Sequence, residues 1–288
     1  MSPGSAHMIP DPKQLPHLIR LLEDDTPEVR EAVVAQLSLF GEDLLRELER
    51  QTLAITPDQL ALVRARSAAD ARDRLRRAWG SWREKEGDKA QLEAALTLIA
   101  DYQGGGRRPG ALTHLLDALA GEFRGMGLQA DVRGLSEFLF AQKQLAGAKD
   151  DYYNPRNSDL VYVIEQKRGI PISLALVFML VGHRLGMSID GCNFPGHFLA
   201  MTFERGDPLI IDCFHGGLLI DDTLLARYLD PVTVTVRDLL NLRSDVRSII
   251  ARVLRNLINA YRAAGDQEDL ELMTELLSML PDADASHD

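Results

Sequence analysis

Three short stretches bring together the residue types that acyl-transfer chemistry uses. Gly169-Ile-Pro-Ile-Ser-Leu-Ala175 is a turn opening an apolar run, Phe194-Pro-Gly-His-Phe198 carries an imidazole, and Ile210-Ile-Asp-Cys-Phe214 carries a carboxylate beside a thiol. A nucleophile at a helix start, a histidine to take its proton and an acid to orient that histidine would make a hydrolytic set. Ser173, His197 and Asp212 are the residues available for it. Ser173 falls in the first turn of the helix that Pro171 begins, where the dipole and free N–H groups act. The same hydroxyl can equally serve a backbone group at the helix start, and His197 with Asp212 can be a structural pair without turnover. Cys192 reads as a small apolar residue on a strand, away from any helix N-terminus. Cys213 adjoins Asp212, so its side chain takes the opposite strand face. His183, His197, Asp212 and His215 match no zinc spacing, so neither a metal nor another cofactor is expected.

These residues need a scaffold, and the sequence around them supplies one. Asp151-Tyr-Tyr-Asn-Pro-Arg-Asn-Ser158 reads as a loop ending in a helix cap at Asn157 or Ser158. Tyr153, Asn154, Arg156 and Asn157 are placed along the same cleft. Arg156 either binds a carboxylate or only holds the loop. The helix that follows stops at Gly169, which suits a left-handed C-terminal position, and Pro171 suits the first turn of the next. That next helix is apolar nearly all round and is expected to be buried centrally. Residues 188–193, 198–203 and 209–213 read as short strands, with a hairpin turn at Glu204-Arg-Gly-Asp-Pro208. Asn193, ending the first strand, is counted among the cleft's binding residues.

The first half is helical. Lys13 to Arg50 reads as a helical hairpin similar to one HEAT repeat, with Asp24-Asp-Thr-Pro27 as its turn. Thr56-Pro-Asp-Gln59 has the pattern of a capping box, opening a helix to about Glu86 whose arginines alternate with acids as a solvated face does. Leu75, Trp79 and Trp82 share one side and are expected in the core. Gly104-Gly-Gly-Arg-Arg-Pro-Gly110 lacks the ending of a phosphate loop and reads as a linker. At the other end, Tyr261, Gly265, Leu270, Leu277 and Pro281 fall as in a single tetratricopeptide-like unit.

Composition narrows the partners. The 288 residues carry 32 Lys and Arg against 43 Asp and Glu, a net charge of −11. That balance argues against nucleic acid and anionic membrane. The longest apolar run, Ile170 to Gly182, is shorter than the roughly 18 residues a membrane span needs. No signal peptide is read at the N-terminus, Met1 to Met8 could be a cloning remnant, and two cysteines make no disulfide framework. A cytoplasmic location is expected.

Taken in order, Tyr152-Tyr-Asn-Pro-Arg-Asn-Ser158, Arg168-Gly-Ile-Pro-Ile-Ser173, Phe194-Pro-Gly-His-Phe198 and Asp212-Cys-Phe-His-Gly-Gly217 resemble the bacterial SirB-type transglutaminase-like family. The close resemblance covers roughly Asp150 to Tyr228. It implies a helical N-terminal part, a papain-like transglutaminase core and a tetratricopeptide-like tail. In the wider superfamily the third place of a Gly-x-Cys-x-x-x-Ala turn is the thiol nucleophile. By that resemblance His197 and Asp212 take the second and third roles, while Pro171 stands at the first. Cys213 departs from the Pro common after the Asp, and the strand at Asn193 is also atypical.

The expected fold is therefore α-rich α+β. Its expected parts are a disordered or vector-derived 1–12, a HEAT-like hairpin 13–55, a helical bundle 56–149, a transglutaminase-like core 150–240, a tetratricopeptide-like hairpin 241–281 and a disordered tail 282–288. The expected function is a catalytically degenerate transglutaminase-like protein that binds a protein or peptide as a regulatory module. The alternative is a hydrolase or amidase using Ser173, His197 and Asp212, and a third reading is a purely structural helical adaptor.

Overall fold

A computed structural model describes residues 11–41, 43–106, 108–194, 197–204, 206–220 and 243–281. The expectations for 1–10 and 282–288 lie outside these residues, as do Pro195, Gly196 and the stretch 221–242. The chain forms two compact units, one of residues 1–77 with 104–107, the other of 78–103 with 108–288.

The first unit holds α1 (Leu15–Leu21), α2 (Pro27–Ser38), α3 (Asp43–Arg50) and most of α4 (Pro57–Ala78). Leu15, Leu37, Leu44, Leu48 and Val63 make its buried core. The capping box is formed as read. Thr56 Oγ1 accepts from the Gln59 amide at 3.2 Å, and Gln59 Oε1 accepts from the Thr56 amide at 3.0 Å. Helix α4 ends at Ala78, earlier than the periodicity implies, and Trp79–Glu84 tighten into a 3-10 turn. Both indoles in that turn are buried.

The second unit is built around one helix. It comprises α5 (Asp88–Gln103), α6 (Ala111–Gly125), α7 (Val132–Ser136), β1 (Ala146–Gly147), α8 (Leu160–Gln166), β2 (Arg168–Gly169), α9 (Pro171–Arg184), β3 (Asp190–Cys192), β4 (Leu199–Glu204), β5 (Asp207–Asp212), β6 (Leu218–Ile220), β7 (Arg243–Ser244), α10 (Val246–Ala264) and α11 (Gln267–Ser278). Every residue of α9 from Pro171 to Gly182 is buried, as expected of a helix without a polar face. It packs on α6, α7 and α8 and on strands β3 and β4. The main sheet is antiparallel throughout, in the order β6-β5-β4-β3-β7. A second, parallel pair, β1 with β2, leads the chain directly into α9. The fold is α+β and rich in helix, with a small antiparallel sheet.

Two local expectations are corrected. The cap of α8 is Asp159, whose carboxylate accepts from the amides of Val161 at 2.9 Å and Tyr162 at 3.3 Å. Asn157 and Ser158 lie within a preceding 3-10 turn. The left-handed residue after α8 is Lys167, at φ 60°, so the reversal falls two residues before Gly169. Gly169 is needed for space instead, because a Cβ there would lie 2.6 Å from Ser173 Oγ.

Candidate functional site

The site lies where β5 ends, against the 151–158 loop, whose Tyr152 meets Phe214. Asp212, the last residue of β5, is fully buried. Its Oδ1 accepts from the amides of Phe214 at 3.0 Å and His215 at 3.1 Å. Its Oδ2 lies 2.7 Å from Nδ1 of His215. The carbonyl of Asp212 closes the turn by accepting from Gly217 at 2.9 Å. One carboxylate thus shapes the turn and aims an imidazole. The ring of His197 lies 6.1 Å from that of His215, so two imidazoles and a buried acid share one corner of the fold. His215 entered the sequence reading within the Asp212–Gly217 motif and a rejected metal set, with no role in the site assigned to it. Its signal was the Asp-Cys-Phe-His spacing, which lets an Asp accept from amides two and three places on.

Among the described residues no hydrogen bond joins Ser173 to either histidine. It is 1% exposed, and its hydroxyl donates to the carbonyl of Ile170 at 3.0 Å. Pro171 occupies the first position of α9, buried, with Ile170 before it. Burial pushes the Cys192 thiol up to about 11 and raises that of Cys213 further above its ordinary range, with the Asp212 charge adding to it. Both thiols are therefore protonated at neutral pH, and neither carries the thiolate that nucleophilic attack needs.

The loop residues divide into one that is displayed and three that hold the loop. Tyr153 is 63% exposed, with its ring edge-on to Tyr152 at 5.4 Å. Asn154 caps the 3-10 turn through the Arg156 amide at 2.9 Å, and its own amide donates to Asp151 at 2.7 Å. Asn157 is buried and donates to the carbonyls of Asp151 and Tyr152. Arg156 stacks over Tyr162, its guanidinium carbon 4.4 Å from the ring centre. Asn193 accepts from Arg252, a residue of α10 that the sequence reading did not select.

Aromatic rings gather beside this corner. Phe214 meets Tyr152 at 6.5 Å between ring centres. It lies so close to β1 that a Cβ on Gly147 would come within 2.5 Å of its ring. Among the described residues no cluster of three or more His, Cys, Asp or Glu could hold a metal ion, and no helix among them is long and apolar enough to cross a membrane.

Comparison with known proteins agrees with this layout. A family model described as the transglutaminase-like superfamily matches residues 111–255. A UPF0162 protein of Xylella fastidiosa is 37% identical over 145 residues, covering 44% of this chain and 47% of that protein. A UPF0162 protein of Pseudomonas aeruginosa is 31% identical over 186 residues, 62% of this chain and 67% of the other. F-box only protein 21 of Mus musculus is 28% identical over 160 residues, half of this chain but 24% of that protein. The chain thus spans about half the length of the first of these relatives. No solved structure matches. With the match covering 111–255 and a bacterial relative aligned over two-thirds of its length, this chain belongs to the transglutaminase-like superfamily.

Proposed function

We propose that this protein is a transglutaminase-like module without thiol catalysis, whose cleft binds a peptide or protein partner in a regulatory role. Within the superfamily its motifs resemble the SirB-type group with a tetratricopeptide-like tail. The observation that carries the reading is the first turn of α9. Pro171 stands where the superfamily resemblance puts the nucleophile, and the nearest hydroxyl, Ser173, is buried and bonded to Ile170. Losing a nucleophile from a triad costs on the order of a millionfold in turnover. The buried thiols offer no substitute. What is left is an exposed tyrosine, neighbouring aromatic rings and a carboxylate-supported imidazole, features suited to holding a chain rather than cutting one. The HEAT-like and tetratricopeptide-like helices would add contact surface.

The test pairs turnover with capture. The purified protein is offered a glutamine-bearing protein with a primary amine, then thiol- and serine-directed covalent probes, and separately a peptide library. The expected outcome is no crosslinking, no labelling, and peptide capture that Tyr153→Ala weakens about tenfold with the melting temperature unchanged. Serine-probe labelling abolished by Ser173→Ala would overturn the reading in favour of the hydrolase.

A further inference from the structure

Arg252 is a half-buried cation for which no carboxylate among the described residues serves as counter-ion. It sits on α10, where its guanidinium donates to Asn193 Oδ1 and lies 5.5 Å from the ring centre of Phe198. Other sheltered cations of the same unit are treated differently. Arg184, 14% exposed, is held by Glu93 at 2.8 Å and Asp117 at 2.6 Å. Lys89, 21% exposed, faces Asp190 at 3.4 Å. Withdrawing a charge from water is costly unless an opposite charge meets it. Burial accordingly lowers the Arg252 pKa, with Tyr152 as the ionisable group acting on it.

The surroundings hold this guanidinium in place. Phe198 is buried, and its ring lies against β3 so closely that a Cβ on Gly191 would come within 2.5 Å of it. Tyr152, whose ring meets Phe214, is near enough to act on the Arg252 charge. The result is a fork of N–H donors positioned by Asn193 and the Phe198 ring, in a protein of net charge −11.

We infer that Arg252 receives a carboxylate of the bound peptide, so that the partner is recognised by an acidic side chain or by its C-terminus. This rests on the proposed peptide-binding function and gives it a substrate class. A guanidinium fork matches a planar carboxylate, whereas an ammonium does not. One arginine on an acidic protein suits a single negative charge better than a phosphate, which carries about two and is commonly met by several donors.

The experiment uses the full chain and fluorescent hexapeptide pools. The pools have a free or an amidated C-terminus, each with or without Asp and Glu. Acid-containing or free-terminus peptides are expected to bind, with Arg252→Gln weakening capture at least about tenfold and Arg252→Lys recovering only part of it. Capture surviving amidation only in the acid-containing pool assigns the side chain; capture lost on amidation assigns the terminus. If amidated, acid-free peptides bind equally and Arg252→Gln changes nothing, the inference falls while peptide binding stands. If no pool binds, the functional proposal falls too. Competition by inorganic phosphate but not by acetate, at equal ionic strength, would overturn the carboxylate assignment. Should Arg252→Gln lose its thermal transition, Arg252→Lys still decides, because it keeps the charge.

Discussion

Asp159 shows how a single side chain can serve the backbone and yet cost stability. It caps α8 through two amides, but it is 2% exposed, and burial pushes its carboxyl up to about 6 from 3.8. The amide bonds pull the other way and only in part offset burial. A carboxyl whose folded pKa is raised takes up its proton more readily in the folded state. Its stabilising contribution is therefore complete below about pH 3.8 and is lost as pH rises through about 6. Asparagine caps as well as aspartate and carries no charge. Asp159→Asn is expected to match the parent near pH 3.5 and to gain on it up to about pH 6. The difference should then stay constant at up to about 3 kcal/mol, the worth of about two pKa units. Urea denaturation from pH 3.5 to 8 reads this directly, and a variant less stable at pH 7.5 would refute it. The two cysteines allow a second check at this scale. With both thiols buried and protonated, a small alkylating reagent should label neither in the native protein and both after unfolding.

At the scale of elements, much of the molecule was legible because the local signals are short-range. The Thr56 and Gln59 box, the proline starts of α2, α4 and α9, and the non-polar circumference of α9 are each decided by neighbours within a turn or two. What escaped depends on residues distant in the chain. No pattern around Arg252 says that it meets Asn193, 59 positions away. Gly147 belongs to this second kind, since its reason for being glycine is the ring of Phe214. In a two-residue strand, alanine would be neutral or better by backbone entropy alone. The ring, however, would lie at 2.5 to 2.7 Å from the new methyl through three of its atoms, and overpacking of that kind costs about 1–3 kcal/mol. Overpacking outweighs entropy here. Gly147→Ala is expected to lower stability by that amount and, if the proposed peptide binding uses Phe214, to weaken capture as well. Thermal melting and the capture assay together check it, and unchanged melting would show that the ring yields freely.

The whole molecule sets a larger folding unit than the matched family region. Residues 111–255 end inside α10 and leave out α5, Trp79 and α11. Yet the second compact unit runs over 78–103 and 108–288. Its contacts explain why. Helix α10 packs along α11 and against α5, and the Trp79 indole donates to the Leu276 carbonyl at 3.2 Å across nearly two hundred positions. Tyr102 on α5 donates to Asp269 on α11 at 2.6 Å. Leu272, Met273 and Leu276 of α11 have no exposed surface. Burying three such side chains is worth about 5–9 kcal/mol at roughly 1.5–3 kcal/mol each. That is comparable with the entire net stability of a typical domain, about 5–15 kcal/mol. The helices flanking the family region therefore belong to its core and are not ornaments on it. A fragment of residues 78–281 is expected to melt cooperatively and to give a dispersed amide NMR spectrum. A fragment of 111–255 is expected to be collapsed, dye-binding and poorly dispersed. Were the shorter fragment to melt as sharply and at the same temperature, α5 and α11 would be accessories to a core that folds without them.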